Sequence, residues 1–269
     1  MPAPLDILLL CRCRQAQLLP AHALEEVRAA LVRSGIELIE VDDLCELSER
    51  RHEVLARIAS QGRSGVIACF ERAVRCLFQS ASSPLPAEVR LFNLRSRPAA
   101  EIIRELGLEG SDAHLPGPER HVAAQGDWAA WFPLIDLDRC KHCGQCLNFC
   151  LFGVYRQEID GCIRVVKPRN CKTGCPACAR VCPHGAIVFP KYKAAPINGD
   201  ESVQVEPSNL DNLVRQDVYD LLRHRSAGGG ADAAAGRFPT EQENQQDIQR
   251  AFQERLNCSR KDKPAPPEE

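Results

Sequence analysis

The N-terminal part of the chain alternates short unbroken apolar runs with stretches of helical spacing. Asp6-Ile-Leu-Leu-Leu-Cys11 is a continuous apolar run, the pattern of a strand buried on both faces of a parallel sheet. Leu18–Arg33 comes next, with Leu24, Val27 and Leu31 on one helical face and Gly35 as a stop. Ile36–Val41 predicts a second strand, and Ser48 caps a predicted helix reaching Ile58. Gly65–Phe70 gives a third strand and Glu71–Phe78 a helix; Val89–Leu94 gives a fourth strand and Ala99–Leu106 a closing helix. This βα repetition predicts an α/β domain over 1–110, a small doubly wound parallel sheet with right-handed crossovers. Residues 111–130 contain Pro116, Gly117, Pro118 and Gly126 without periodicity and predict a linker. Trp128, Trp131 and Phe132 close it as apolar cover for the next unit.

Beyond the linker the pattern shortens, and cysteine takes over. Val154–Glu158 and Cys162–Val166 flank Asp160-Gly161, a hairpin signal on which Cys162 reads as structural. Around it, Cys140, Cys143, Cys146 and Cys150 read C-x-x-C-x-x-C-x-x-x-C, and Cys171, Cys175, Cys178 and Cys182 read C-x-x-x-C-x-x-C-x-x-x-C-P. Thiolate is the ligand that iron–sulfur clusters require, and three sulfurs from one such loop reach three corners of a cubane. Paired C-x-x-C units that hold zinc keep a longer gap between the pairs. The two stretches are also a repeat: 146–155 aligns with 178–187, with Gly153 and Gly185 each three residues past the last cysteine. Here the sequence resembles the bacterial-type dicluster ferredoxin family. The resemblance implies a ferredoxin-like α+β unit over 131–195, with two short helices, β-hairpins and two [4Fe–4S] clusters. In such proteins each motif's last cysteine ligates the other cluster. Cys140, Cys143, Cys146 and Cys182 would then hold the first cluster, and Cys171, Cys175, Cys178 and Cys150 the second. Two departures stand out: Leu151 replaces the family's usual proline, and Thr173-Gly174 makes the second motif one residue longer.

Cysteine also marks the α/β domain. Open α/β sheets take ligands beyond the carboxyl ends of their strands. The first βα turn, Cys11-Arg-Cys-Arg-Gln-Ala-Gln, has no glycine, which argues against a dinucleotide or P-loop site. Instead Cys11 and Cys13 follow the first strand, Cys45 the second, and Cys69 ends the third, with Cys76 further along. The region resembles the N-terminal domain of the flavin-carrying component of heterodisulfide reductase, which implies a third [4Fe–4S] cluster there. Arg14 stands in place of the glycine usual after its C-x-C, and without a flavin-binding fingerprint downstream the flavin chemistry does not come with the resemblance. Topology points to the same cluster, since these cysteines leave one sheet edge. A third cluster would use Cys11, Cys13, Cys45 and Cys69, with Cys76 in reserve and Arg12 and Arg14 offsetting its charge. The competing reading is that buried cysteine packs as a small hydrophobe.

Composition narrows the setting. Fifteen cysteines in 269 residues, with no basic n-region before the short run Ile7–Cys11, predict a cytoplasmic protein without a membrane span. Net charge is only −2, but residues 139–193 carry +8 and each flank about −5. That contrast predicts a redox partner protein with an acidic docking surface. The basic residues are scattered among the cysteines without aromatic interleaving, which argues against nucleic acid. Residues 196–269 form a polar extension with an amphipathic helix at Ser208–Arg225, then a disordered tail. No catalytic constellation is visible, and His142 and His184 beside the motif cysteines read as hydrogen-bonding groups. The sequence therefore reads as an iron–sulfur electron-transfer protein or redox-complex subunit. The alternative is part of an enzyme that works on a thiol or disulfide substrate.

Overall fold

A computed structural model describes residues 4–109, 117–126 and 128–203; the amphipathic helix and tail expected after 203, and Cys258, lie outside them. The chain begins with β1 (Ile7–Cys11), α1 (Ala21–Val32), β2 (Glu37–Val41), α2 (Leu44–Glu49), α3 (Glu53–Ser60), β3 (Ser64–Ala68), α4 (Glu71–Ser80), β4 (Arg90–Asn93), α5 (Ala99–Leu106) and β5 (Glu119–Val122). The five strands form one parallel sheet in the order β4-β3-β1-β2-β5. The all-apolar β1 lies at its centre and sends alternate side chains to opposite faces. Leu8 and Leu10 meet α1 and α5 through Val27, Leu31 and Ile102. Ile7 and Leu9 meet α2, α3 and α4 through Leu47, Ile58 and Leu77.

Two sequence expectations change. Ser48 does not cap a helix to Ile58: it is buried within α2 and donates its hydroxyl to Leu77 O at 2.7 Å. The helix is broken at Arg51, whose φ is +49°, and the caps are Asp43 for α2 and His52 for α3. The stretch read as a linker contains β5. Its Glu119-Arg-His-Val is three parts exposed, so it carries no hydrophobic period, as suits an edge strand. Gly117 is what brings the chain alongside β2: a Cβ there would lie 2.3 Å from Ile36 O.

The second half comprises β6 (Leu134–Ile135), α6 (Gln145–Phe149), β7 (Tyr155–Gln157), β8 (Ile163–Val165), a 3-10 turn (Pro168–Asn170), α7 (Ala177–Arg180) and β9 (Ile187–Val188). β6 pairs antiparallel with β9, and β7 with β8 through the Asp160-Gly161 turn. Val154, Tyr155, Ile163, Ala179, Ile187 and Phe189 make its small core. Trp131 stacks on Phe189 with ring centres 5.2 Å apart, and Trp128 stacks on Phe132 at 6.1 Å.

Ion pairs join the halves. Arg72 of α4 meets Asp136 at 2.7 Å, with both side chains nearly buried, and also donates to Gly185 O. Arg169 binds Glu49 through both oxygens at 2.8 and 3.0 Å and lies over Trp128. Arg95 donates to Pro190 O at 2.9 Å and Tyr192 O at 2.8 Å. Residues just past 195 belong to the same packing, with Asn198 buried and Gly199 against Ala73.

Removing one member of a buried pair strands the other charge at a cost of about 3–5 kcal/mol. Asp136→Ala is therefore expected to destabilise the protein by about 3 kcal/mol, and Asp136→Leu combined with Arg72→Met to recover most of it. Denaturant midpoints of the single and double variants check this; equal losses in both would show that the pair does not join the halves.

Candidate metal centres

The local geometry of the first motif brings its cysteines to one hollow, with Cys143 on the exposed side. Gly144, in the left-handed region at φ +78°, starts α6 and sets Cys146 on the first turn of that helix. A hollow of about 20 Å³ is lined by Cys140, Cys143 and Cys146 of the first motif and Cys182 of the second. Backbone N–H groups already point at the sulfurs: His142 N donates to Cys140 Sγ at 3.4 Å and Ala186 N to Cys182 Sγ at 3.3 Å. His142 is held by its ring, whose Nδ1 accepts from Ile163 N at 3.1 Å.

Cys171, Cys175, Cys178 and Cys150 lie within electrostatic reach of one another. Burial first, then Cys178, Cys175 and Cys150, push the Cys171 thiol up to about 12. Burial pushes Cys178 up to about 11. The extra residue of this motif is absorbed in a turn, with Gly174 at φ +80° and Cys175 N donating to Lys172 O at 3.0 Å. Trp131 Nε1 donates to Cys175 O at 3.4 Å.

The third group lies at the carboxyl edge of the sheet. β1 and β3 are neighbours there, and α1 and α4, which come after them in the chain, go to opposite faces; such a switch point opens a crevice. Cys11, Cys13, Cys45 and Cys69 line a hollow of about 20 Å³ in that crevice, the same volume as the one inside the first motif. Leu44 N donates to Cys11 Sγ at 3.4 Å. Cys13 has φ +49°, a left-handed backbone that costs a non-glycine residue on the order of 1 kcal/mol or more. Burial pushes the Cys69 thiol up to about 12, and it raises Cys11 and Cys45 well above the ordinary thiol value.

Other expectations fall differently. Cys76 is buried on α4 away from this hollow, near Asp136 and Asp138. Arg12 and Arg14 do not face the cysteines; they pair with Glu40 at 2.7 Å and Asp42 at 3.4 Å, because β2 offers carboxylates nearer than the sulfurs. The cations that act on the third group are Lys191 and Arg95, which sequence reasoning missed. Lys191 pairs with Asp43 at 2.6 Å. Cys162 stays on its hairpin, its N–H donating to Asp160 at 2.9 Å.

Tyr155 is missed as well, since an aromatic residue in a strand reads as core. Its hydroxyl is enclosed, with the Cys178 thiol as its hydrogen-bonding neighbour. The groups around it are the thiols of Cys178, Cys146 and Cys150, and burial together with them raises its pKa. A thiolate at that position would accept from the hydroxyl more strongly than the thiol does. Among the described residues, no group of His, Cys, Asp or Glu closes tightly enough to hold a single metal ion. Thiols spread around a hollow, with an enclosed hydroxyl donor beside them, suit a polynuclear iron–sulfur group. Burial keeps Cys146, Cys171 and Cys69 protonated until a metal compensates the thiolate charge.

Comparison with known proteins agrees with this chemistry. Residues 132–204 match the 4Fe-4S dicluster domain family. An uncharacterized ferredoxin of Methanocaldococcus jannaschii is 43% identical over 65 residues, which are 24% of this chain and 44% of that protein. The chain thus spans less than half of that relative. The pyruvate synthase subunit PorD of Methanothermobacter marburgensis is 32% identical over 84 residues, 31% of this chain and 95% of PorD. No helix among the described residues is long and apolar enough to cross a membrane.

Hydrogen bonds to cluster sulfurs favour the more negative, reduced state. Tyr155→Phe should therefore retain the iron of the wild-type protein while lowering the potential of the group nearest Cys178. Redox titration monitored by EPR measures this; an unchanged potential would leave Tyr155 as an ordinary core residue.

Proposed function

We propose, for a chain that belongs through residues 132–204 to the 4Fe-4S dicluster domain family, that it is an electron-transferring subunit with two crossed-ligand [4Fe–4S] clusters and a third in its α/β half. The observation that carries this reading is the hollow lined by three cysteines of one motif and the last of the other, Cys140, Cys143, Cys146 and Cys182. Cys171, Cys175, Cys178 and Cys150 would hold the second cluster, and Cys11, Cys13, Cys45 and Cys69 the third. When bound, such a group accepts and releases one electron with little rearrangement. The protein's part is to fix the sulfurs, aim N–H donors at them and exclude water. The N–H groups of His142, Ala186 and Leu44 are already so aimed.

The name of one relative, a pyruvate synthase subunit, favours work inside a larger oxidoreductase over a free carrier. The positive segment 139–193 supplies the docking face. Two clusters with their thiolates contribute about −4, and Glu49 and Asp43 take up Arg169 and Lys191, leaving that segment about +2 and suited to an acidic partner surface. The cysteine crevice of the α/β half favours one further reading, that electrons are delivered there to a thiol or disulfide substrate. Reoxidation of the reduced protein by such a compound would distinguish this from pure transfer.

Three measurements test the assignment. Cys150→Ala should damage the signal of the cluster on Cys171, Cys175 and Cys178, and Cys182→Ala the other; loss of each cysteine's own-motif cluster would refute the crossing. Anaerobically reconstituted protein should bind about twelve irons, falling to about eight with Cys11→Ala and Cys13→Ala together. Association with the partner should weaken as salt rises, since exposed charges are screened beyond about 10 Å at 0.1 M. Salt-insensitive binding would count against the acidic docking surface.

A further inference from the structure

We propose that Lys191, carried by the ferredoxin half, is the charge-compensating positioning residue of the cysteine site in the α/β half. That site is then complete only when segment 190–192 is docked over it. The inference rests on the reading of Cys11, Cys13, Cys45 and Cys69 as an iron–sulfur site.

Lys191 and Pro190 line the hollow together with these four cysteines, although well over 100 residues of chain, from Cys69 to Pro190, lie between them. The Lys191 side chain is only 6% exposed, and its ammonium lies 2.6 Å from Asp43, which is 1% exposed. Asp43 has work of its own. Its Oδ1 accepts from Cys45 N at 3.0 Å and Glu46 N at 3.1 Å, starting α2 and so placing Cys45, while its Oδ2 takes Lys191. A buried ion pair is seldom more stabilising than well-packed apolar residues in the same volume. A fold that only needed to close this gap would do as well with leucine. An ammonium offers three donors. One goes to Asp43, and the ammonium stands in the wall of a thiol-lined hollow.

The segment that carries Lys191 is itself clamped. Arg95, at the end of the sheet, donates to the carbonyls on either side of Lys191, those of Pro190 and Tyr192, and lies over the Phe70 ring at 5.0 Å. Arg95 also acts on Cys13 and Cys69 as a second cation. A [4Fe–4S] core with four thiolates carries about −2 when oxidised and one more negative charge when reduced. Against that, Lys191 and Arg95 supply two positive charges and Asp43 removes one. The balance favours the reduced state, so the two cations raise the potential of this site.

The test uses the full-length protein, reconstituted anaerobically with iron and sulfide and titrated under EPR. The third signal is identified as the one lost in the Cys11→Ala, Cys13→Ala variant. Lys191→Met is expected to shift that signal to lower potential or remove it, leaving the two ferredoxin signals where they were. Lys191→Arg should restore it. A merely structural lysine would not move one potential among three. Should Lys191→Met fail to fold, Arg95→Gln is expected to shift the same signal in the same direction. Wild-type protein that holds only about eight irons would overturn the underlying reading and this inference with it. Wild-type protein with about twelve, and a third potential indifferent to Lys191→Met or Arg95→Gln, would overturn the role of Lys191 alone.

Discussion

A thiol enclosed by protein keeps its proton, and a thiol that binds iron must give it up. Both halves of this protein enclose thiols. Burial pushes Cys146, Cys171 and Cys69 up to about 12, so none of them is an anion on its own account. What prepares them for the anionic state is arranged nearby: main-chain N–H groups aimed at Cys11, Cys140 and Cys182, an enclosed tyrosine hydroxyl, and cations at the cavity in the sheet edge. Left-handed backbone at Gly144 and Gly174 makes the tight loops possible, and at Cys13 it is accepted by a residue that pays for it in strain. This is the groundwork of an iron–sulfur electron-transfer protein, in which the polypeptide holds sulfurs in place and tunes their surroundings.

The two halves differ in how they reach this end. The ferredoxin half has little core of its own: Val154, Tyr155, Ile163, Ile187, Phe189 and a few cysteines. A unit of that size relies on bound groups and neighbours for stability. Its neighbour is the sheet domain, whose core it shares through Phe132, Leu134 and Val188, and ion pairs are added to that apolar contact. Arg72 with Asp136, Arg169 with Glu49, and Lys191 with Asp43 each join residues far apart in sequence. The two buried pairs, Arg72 with Asp136 and Lys191 with Asp43, contribute direction more than net stability, because each charge tolerates only one arrangement of its partner. They fix the register of halves that apolar packing holds together.

The sequence displayed the parts with strong local patterns. The five apolar residues of β1 allowed one reading, and α5 from Ala99 to Leu106 was legible to the residue. The eight motif cysteines announced their spacing, and the crevice cysteines came from strand order. What stayed hidden depends on tertiary partners. Glu119-Arg-His-Val looks like loop because an edge strand beside β2 needs only its backbone. Ser48 looks like a cap because its true acceptor, Leu77 O, is 29 residues away. Lys191 looks like one more surface cation, and only the fold places it in the wall of the crevice. Arg12 and Arg14 erred in the other direction: they sit beside Cys11 and Cys13 in sequence, yet neighbouring carboxylates take them.

The clamp on Pro190 and Tyr192 has a bearing on biogenesis. Translation delivers Cys11, Cys13, Cys45 and Cys69 long before residue 190 leaves the ribosome, so the crevice exists first as an open mouth on the nascent sheet domain. Once the ferredoxin half docks, Lys191 and Pro190 stand in that mouth. The four cysteines at the sheet edge thus precede in synthesis the segment that shares the wall of their hollow, and the later half closes over what the earlier half exposes.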